Sequence, residues 1–251
     1  MSDPLLAANG ITVRFGGLVA LNEVDLEVAA TGITGLIGPN GAGKTTMFNV
    51  ITGLQRPTAG ELHYDGHDIA RWAPQRRARA GMSRTFQRLE MFTGMSVRDN
   101  LLAAWEASIP GGVFGRRSAE GHRLVNEVLS RLDLHAIANR RTAELPTGLG
   151  RMVELGRAMC TRPRLLLLDE PSSGLDAGET ARFRDLLLEI TNKDGGLGCA
   201  VLLVEHDVRL VMEVCQTITV LDFGRQIACG EPTDIQQDPA VIAAYLGSSA
   251  A

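Results

Sequence analysis

Gly38-Pro39-Asn40-Gly41-Ala42-Gly43-Lys44-Thr45-Thr46 matches the pattern G-x-x-x-x-G-K-[ST] at every fixed position. Before it, Ile33-Thr34-Gly35-Leu36-Ile37 is largely apolar and β-branched, and after it residues 47–51 can continue as a helix. Strand, glycine-rich turn and helix start are the context in which such a loop binds phosphate. Its successive backbone N–H groups point inward, and the helix N-terminus adds partial positive charge. Lys44 is expected to reach the β- and γ-phosphates of a nucleotide, and the Thr45 hydroxyl to ligate Mg2+.

Working outward, the 251 residues suffice for one large α/β domain or two small ones. With 45% apolar and 22% charged residues the chain reads as an ordinary globular protein, and its net charge of −4 gives no support for nucleic-acid binding. The longest apolar run, residues 240–246, has seven residues, against about 20 for a membrane span. The first residues carry no basic stretch followed by an apolar one, so no signal peptide is expected. Cys160, Cys199, Cys215 and Cys229 are far apart and read as buried small hydrophobes in a reducing compartment.

Short strands are expected at residues 11–15, 26–28 and 61–64, the last followed by an Asp65-Gly66 turn. Residues 74–80 read as a helix whose Arg76, Arg77 and Arg79 form a solvated face. Residues 97–106 and 121–134 carry helical periodicity, with Leu124, Val128, Leu129 and Leu132 on one face and a loop at 109–115 between them. The α/β pattern then resumes. Leu165-Leu166-Leu167-Leu168 suits a strand buried on both faces of a parallel sheet, residues 199–204 suit another, and a helix over 181–192 makes a crossover between them. There is no internal repeat or low-complexity segment.

The strand at 165–168 ends in Asp169-Glu170, at the sheet edge where α/β proteins bind ligands. Asp169 suits Mg2+, held through water, and Glu170 suits orientation of an attacking water. His206 ends the next strand, where it can meet a γ-phosphate.

Taken in order, Phe15, GPNGAGKTT, Gln87, a helical insert, LPTGLGR at 145–151, LLLLDEP at 165–171, SGLD at 173–176 and His206 resemble the ATP-binding cassette of ABC transporters over essentially the whole chain. Three segments, SRTFQRLEMFTGMSVRDNLL, VEHDVRLVMEVC and GEPTDIQQDPAVIAAYLG, look like the cassettes of branched-chain amino acid importers. The resemblance implies a P-loop NTPase (RecA-like) core over residues 1–87 and 161–230, with an N-terminal antiparallel β portion. It also implies a helical subdomain inserted at 88–160 and a C-terminal tail at 231–251.

The resemblance further implies roles. Phe15 would stack on adenine, residues 38–46 would be Walker A, and Gln87 would touch Mg2+ or water and relay state to the membrane partner. Asp169 and Glu170 would be the Walker B pair, with Glu170 the catalytic carboxylate, Asp176 would lie at a dimer interface, and His206 would be the switch histidine. Two cassettes would sandwich ATP, the signature of one capping the nucleotide of the other. The chain would sit at the cytoplasmic face of the cell membrane, bound to permease subunits and to a second cassette, identical or different. A substrate-binding protein would deliver the amino acid. A cassette of an exporter or lipid extraction system, and a non-transport ATP-dependent switch, remain alternatives.

One departure stands out. The usual signature Leu-Ser-Gly-Gly-Gln is here Leu145-Pro146-Thr147-Gly148-Leu149. Pro146 removes a hydroxyl and an N–H, and Leu149 removes an amide. Pro is tolerated near a helix start, Thr147 is a good N-cap residue, and Gly148 still allows close backbone approach. The expectation is a weakened signature donated to a partner.

Overall fold

The computed structural model describes residues 3–86, 89–109, 116–192, 194 and 196–248. From the N-terminus run β1 (Leu6–Phe15), β2 (Leu18–Val28), β3 (Gly32–Ile37), α1 (Lys44–Thr52), β4 (Ala59–Tyr64), β5 (His67–Asp68), α2 (Pro74–Arg79) and β6 (Met82–Arg84). Then come α3 (Val97–Ser108), α4 (Arg116–Arg131), α5 (Thr147–Cys160), β7 (Leu165–Asp169), α6 (Ala177–Thr191), β8 (Ala200–Val204) and α7 (Val208–Val214). The chain closes with β9 (Thr217–Asp222), β10 (Arg225–Gly230), α8 (Pro232–Gln237) and α9 (Pro239–Ser248).

Two sheets result. One is antiparallel, in the order β2-β1-β4-β5; the other has the order β10-β9-β3-β8-β7-β6, parallel from β9 to β6 with β10 antiparallel at its edge. The pleat divides the core. Ile33, Ile37, Leu166, Leu168, Val201 and Leu203 face a cluster shared with α3 to α7, whereas Leu36, Leu165, Leu167, Leu202 and Val204 face the antiparallel sheet and α1. Leu124, Val128, Leu129 and Leu132 are all buried in the first cluster. Gly156 lets α5 approach α3 and α4, since a Cβ there would press on Leu132, Val128 and Leu101.

Several sequence expectations are corrected. β1 and β2 are much longer than residues 11–15 and 26–28, pairing from Leu6↔Val28 to Phe15↔Leu18. Bulges between Ala8 and Arg14 interrupt the period-two pattern by which a strand is recognised. The crossover helix starts at Ala177 rather than 181, because Asp176 caps it. Cys160, Cys199 and Cys215 are buried, and burial pushes their thiols up to about 12, 11 and 12, but Cys229 is exposed.

The largest correction is Arg77, which is 1% exposed rather than solvated. Its Nη1 donates to the Val50 and Ile51 carbonyls at 2.6 Å, Nη2 to Ile69 O at 2.7 Å and Nε to Trp72 O at 3.1 Å. Val50 and Ile51 lie in the last turn of α1, where carbonyls lack the i+4 partner, though Gly53 N–H also reaches Val50 O at 3.2 Å. Desolvation lowers the guanidinium to about 10. Arg76 lies instead over the Trp72 ring at 3.9 Å.

Candidate nucleotide site

The strands β3, β7 and β8 run parallel in register, with Gly35 and Leu168 both opposite Leu203 and Asp169 opposite Val204. Their C-terminal ends therefore open on one edge, the position at which such sheets bind ligands. The phosphate loop, Asp169-Glu170 and Glu205-His206 all leave the sheet there.

Gly38, Gly41 and Gly43 have φ values of 147°, 80° and 106°, which side chains rarely adopt. A Cβ on Gly38 would collide with the Leu221 carbonyl, and one on Gly43 with Leu21 and the Ala20 carbonyl. The β9–β10 turn supports the loop, Gly224 N–H donating to Ala42 O at 3.0 Å. Burial raises the pKa of Tyr245 on α9, partly offset by the nearby Gly38 backbone. Lys44 is buried at the start of α1 and donates through Nζ to Gly38 O at 2.6 Å and Pro39 O at 2.9 Å. Desolvation lowers its pKa, while Glu170 and then Asp169 raise it, so both carboxylates lie within its field. Thr45 is exposed in the first turn of α1, and Thr46 is half-buried. Phe15, at the end of β1, leaves 49% of its surface open to stack on a base.

Asp169 Oδ2 pairs with Arg84 Nη2 at 2.9 Å. Glu170 follows with φ +49°, an uncommon conformation for a residue with a side chain, and its N–H is held by Val204 O at 2.8 Å. That bend brings Glu170 Oε1 to 2.5 Å from His206 Nε2. The buried Glu205 accepts from Ser172 N–H at 2.7 Å and His206 N–H at 3.1 Å, and so holds both loops together. Burial raises its pKa, partly offset by these N–H donors. The sequence reading missed Arg84 and Glu205 as site residues; a charged residue at a strand end carries no mark of whether it will be buried.

For a metal, the donors available would be the Thr45 hydroxyl and the Asp169 oxygen that Arg84 leaves unengaged. Oxygen donors suit Mg2+, and among the described residues no cluster of three acidic, His or Cys side chains forms a cage. This set fits a cation shared with nucleotide phosphates.

A second group surrounds the starts of α5 and α6. Asp176 caps α6 with a reciprocal capping box, accepting from Glu179 N–H at 2.8 Å while Glu179 Oε2 accepts from Asp176 N–H at 3.0 Å. A Cβ at Gly148 would collide with that same Glu179 carboxylate. Leu145, Leu149 and Leu175 pack on the core, and Pro146 and Thr147 are exposed. Thr147 is not the N-cap. Pro146 is, with φ −57° and ψ 156°, its carbonyl accepting from Gly150 N–H at 3.0 Å. Proline's fixed φ and ready extended ψ make it the last residue before the helix, so no side chain caps α5.

Gln87 lies outside the described residues. Its flanks are tied to α5: Arg151 Nη1 donates to Phe86 O at 3.1 Å, Glu154 Oε1 accepts from Glu90 N–H at 2.6 Å, and Arg157 donates to Glu90 O.

The family model for ABC transporters matches residues 21–173, and one for branched-chain amino acid ATP-binding cassette transporters matches residues 225–251. The chain is 40% identical to the high-affinity branched-chain amino acid transport ATP-binding protein LivG of Salmonella typhimurium, covering 99% of this chain and 100% of that one. It is 39% identical to the corresponding protein BraF of Pseudomonas aeruginosa over the same shares. Among solved structures, an ATP-binding cassette of an ABC transporter in its ADP conformation matches with a TM-score of 0.84 at 30% identity, covering 98% of this chain and 100% of that chain. Similarity of this degree along the full length, on a phosphate loop at the edge of a parallel sheet, makes the chain a member of the ABC transporter family, an ATP-hydrolysing cassette.

Proposed function

We propose that this cassette energises the import of branched-chain or related amino acids through a separate permease. The observation that carries this substrate class is the match of residues 225–251 to a model specific to branched-chain amino acid cassettes, beyond the general cassette match at 21–173. That segment includes α9, whose Tyr245 lies near the Gly38 backbone at the start of the phosphate loop.

In this reading Phe15 stacks on adenine, the N–H groups of residues 38–46 cradle the phosphates, and Lys44 leaves the Gly38 and Pro39 carbonyls for the β- and γ-phosphates. Thr45, Asp169 and Gln87 hold Mg2+, which when bound neutralises charge on the β- and γ-phosphates. Glu170 orients the attacking water, and His206 holds Glu170 and faces the γ-phosphate. Leu145-Pro146-Thr147-Gly148-Leu149 and Asp176 face a second cassette, Thr147 offering it an exposed hydroxyl.

Residues 88–160 form a helical subdomain against a core of residues 1–87 and 161–230, with a tail at 231–251. A groove of 450 Å3, lined by Leu54, Ala78, Met82, Phe86, Ala104 and Leu167, offers apolar surface to a permease. Among the described residues no helix is long and apolar enough to cross a membrane, which fits a chain held at the cytoplasmic face by that partner.

The test is isolation of the tagged chain from native membranes, with identification of its permease and any second cassette, alongside labelled leucine uptake in cells carrying Lys44→Ala. A co-purifying permease and lost uptake support the reading. An export machine as partner, or no membrane partner with ATP bound but not hydrolysed, overturns it.

A further inference from the structure

We propose that Arg84 is a positioning residue of the ATPase site, bracing Asp169 against α1 so that one carboxylate oxygen is engaged and the other is held for Mg2+. The proposal rests on the assignment of Asp169 as a metal-side carboxylate.

Arg84 ends β6, a three-residue strand at the edge of the parallel sheet, where Arg84 lies opposite Leu167 of β7 and Thr85 N–H donates to Leu167 O at 3.0 Å. Its guanidinium forks. Nη2 meets Asp169 Oδ2 at 2.9 Å, and Nη1 meets Asn49 Oδ1 at 2.8 Å. The Arg84 and Asp169 side chains are each only 8% exposed. The guanidinium lies 5.3 Å from the Phe48 ring centroid and 4.8 Å from that of Phe86. Asn49 is four residues beyond Thr45 on α1, on the same helix face. One side chain therefore ties together the helix that carries Thr45, the strand that carries Asp169, and the strand that leads to Gln87.

Stability alone does not account for this arrangement. A buried ion pair roughly breaks even against apolar residues of the same shape. Here the Arg84 Nε is buried without a partner among the described residues, so the fold tolerates an unsatisfied donor to keep both Nη contacts. The two Nη groups of a planar fork reach acceptors on different elements at a fixed spacing, which the single nitrogen of lysine does not provide. The consequence falls on Asp169. With Oδ2 engaged, the carboxylate cannot rotate freely, and Oδ1 is the oxygen left to face a cation. Partners that orient a metal-ligating carboxylate commonly contribute 10- to 100-fold to metal affinity, as an order of magnitude.

The test measures binding of a non-hydrolysable ATP analogue to the full chain, with Mn2+ as the metal probe and with EDTA. In Arg84→Met the Mn2+ concentration for half-maximal binding should rise about 10-fold, while the affinity in EDTA changes by less than about 2-fold. Arg84→Lys should recover only part of the loss, because charge without the fork does not restore the brace. Asn49→Ala, which leaves the Arg84–Asp169 pair intact, should raise it about 3-fold. It decides the matter if Arg84→Met does not fold. Unshifted or tighter Mn2+ dependence in folded Arg84→Met, full rescue by lysine, or an unshifted Asn49→Ala each overturns the proposal. Wild-type binding that ignores Mn2+ overturns instead the assignment of Asp169 on which it rests.

Discussion

Glu170 Oε1 and His206 Nε2 lie 2.5 Å apart across 36 positions of sequence. The pairing follows from sheet register. Asp169 is opposite Val204 at the ends of β7 and β8, so the residues just beyond those ends emerge side by side. The positive φ of Glu170 turns its carboxylate toward the histidine. A carboxylate oriented by a histidine at the sheet edge is suited to position a water for attack on phosphorus.

Glu170→Gln is expected to retain ATP binding and lose about 100-fold or more in phosphate release. ATP-bound dimer should accumulate and be visible by light scattering. His206→Ala should lower turnover in the same direction with little change in ATP affinity. Normal turnover in Glu170→Gln would remove it from the catalytic role.

Lys44 supplies about 4 kcal/mol to a phosphate at about 4 Å and an effective dielectric near 20. Lys44→Ala should therefore weaken ATP binding by roughly 1,000-fold, measurable by calorimetric titration. Loss of less than about tenfold would mean that the backbone N–H groups carry the binding.

Pro146 caps α5 without a side-chain hydrogen bond. Pro146→Ser with Leu149→Gln restores a capping hydroxyl and an amide at the signature. Turnover in the assembled transporter should rise by up to about 100-fold, the worth of one preorganised donor to a developing anion, about 3 kcal/mol. The new cap should also stabilise the free chain by about 1 kcal/mol. A thermal shift without a change in turnover would mean that Thr147 and the backbone already do the whole task.

Arg77→Ala removes the donor to the buried Ile51 carbonyl and one of two donors each to Val50 O and Ile69 O, which keep the Gly53 and Trp72 N–H groups. Unsatisfied buried groups of this kind cost about 1–3 kcal/mol each, with partial relief by water. A loss of about 2 kcal/mol lowers the midpoint by roughly 6 °C in a chain of this size, read by differential scanning calorimetry. A fall below about 2 °C would show that α1 ends without help from Arg77.

Glu205 gives a pH signature. Its folded pKa is raised above 4.5 by burial, so the native state holds its proton over a range in which the unfolded chain has released it. Its contribution to stability is therefore full below pH 4.5 and is lost as pH rises through the folded value. Glu205→Gln should flatten the fall in stability with rising pH in that window, seen by comparing urea midpoints of the two proteins across pH. Identical pH slopes would place the proton elsewhere.

The phosphate loop, the strand at 165–169 and the helical face of Leu124, Val128, Leu129 and Leu132 were legible because each is written in consecutive or periodic residues. A turn that needs positive φ selects glycine, and a strand buried on both faces needs an unbroken apolar run. The bulged hairpin was legible only in part, since its inserted residues break the alternation. The start of α5 was misread because Thr147 and Pro146 both suit a helix beginning, and the choice rests on backbone conformation.

By itself the sequence determined a phosphate-binding α/β protein with two acidic residues at a strand end, since local chemistry and periodicity carry that much. Only the tertiary structure decided that Arg77 is buried, that Arg84 grips Asp169, that Glu205 joins two loops and that His206 meets Glu170. Each of those depends on which distant segment covers a charged side chain and which unpaired carbonyls, N–H groups or carboxylates it finds there. A long charged side chain suits water and a set of buried partners equally in sequence, and sheet register chooses between them.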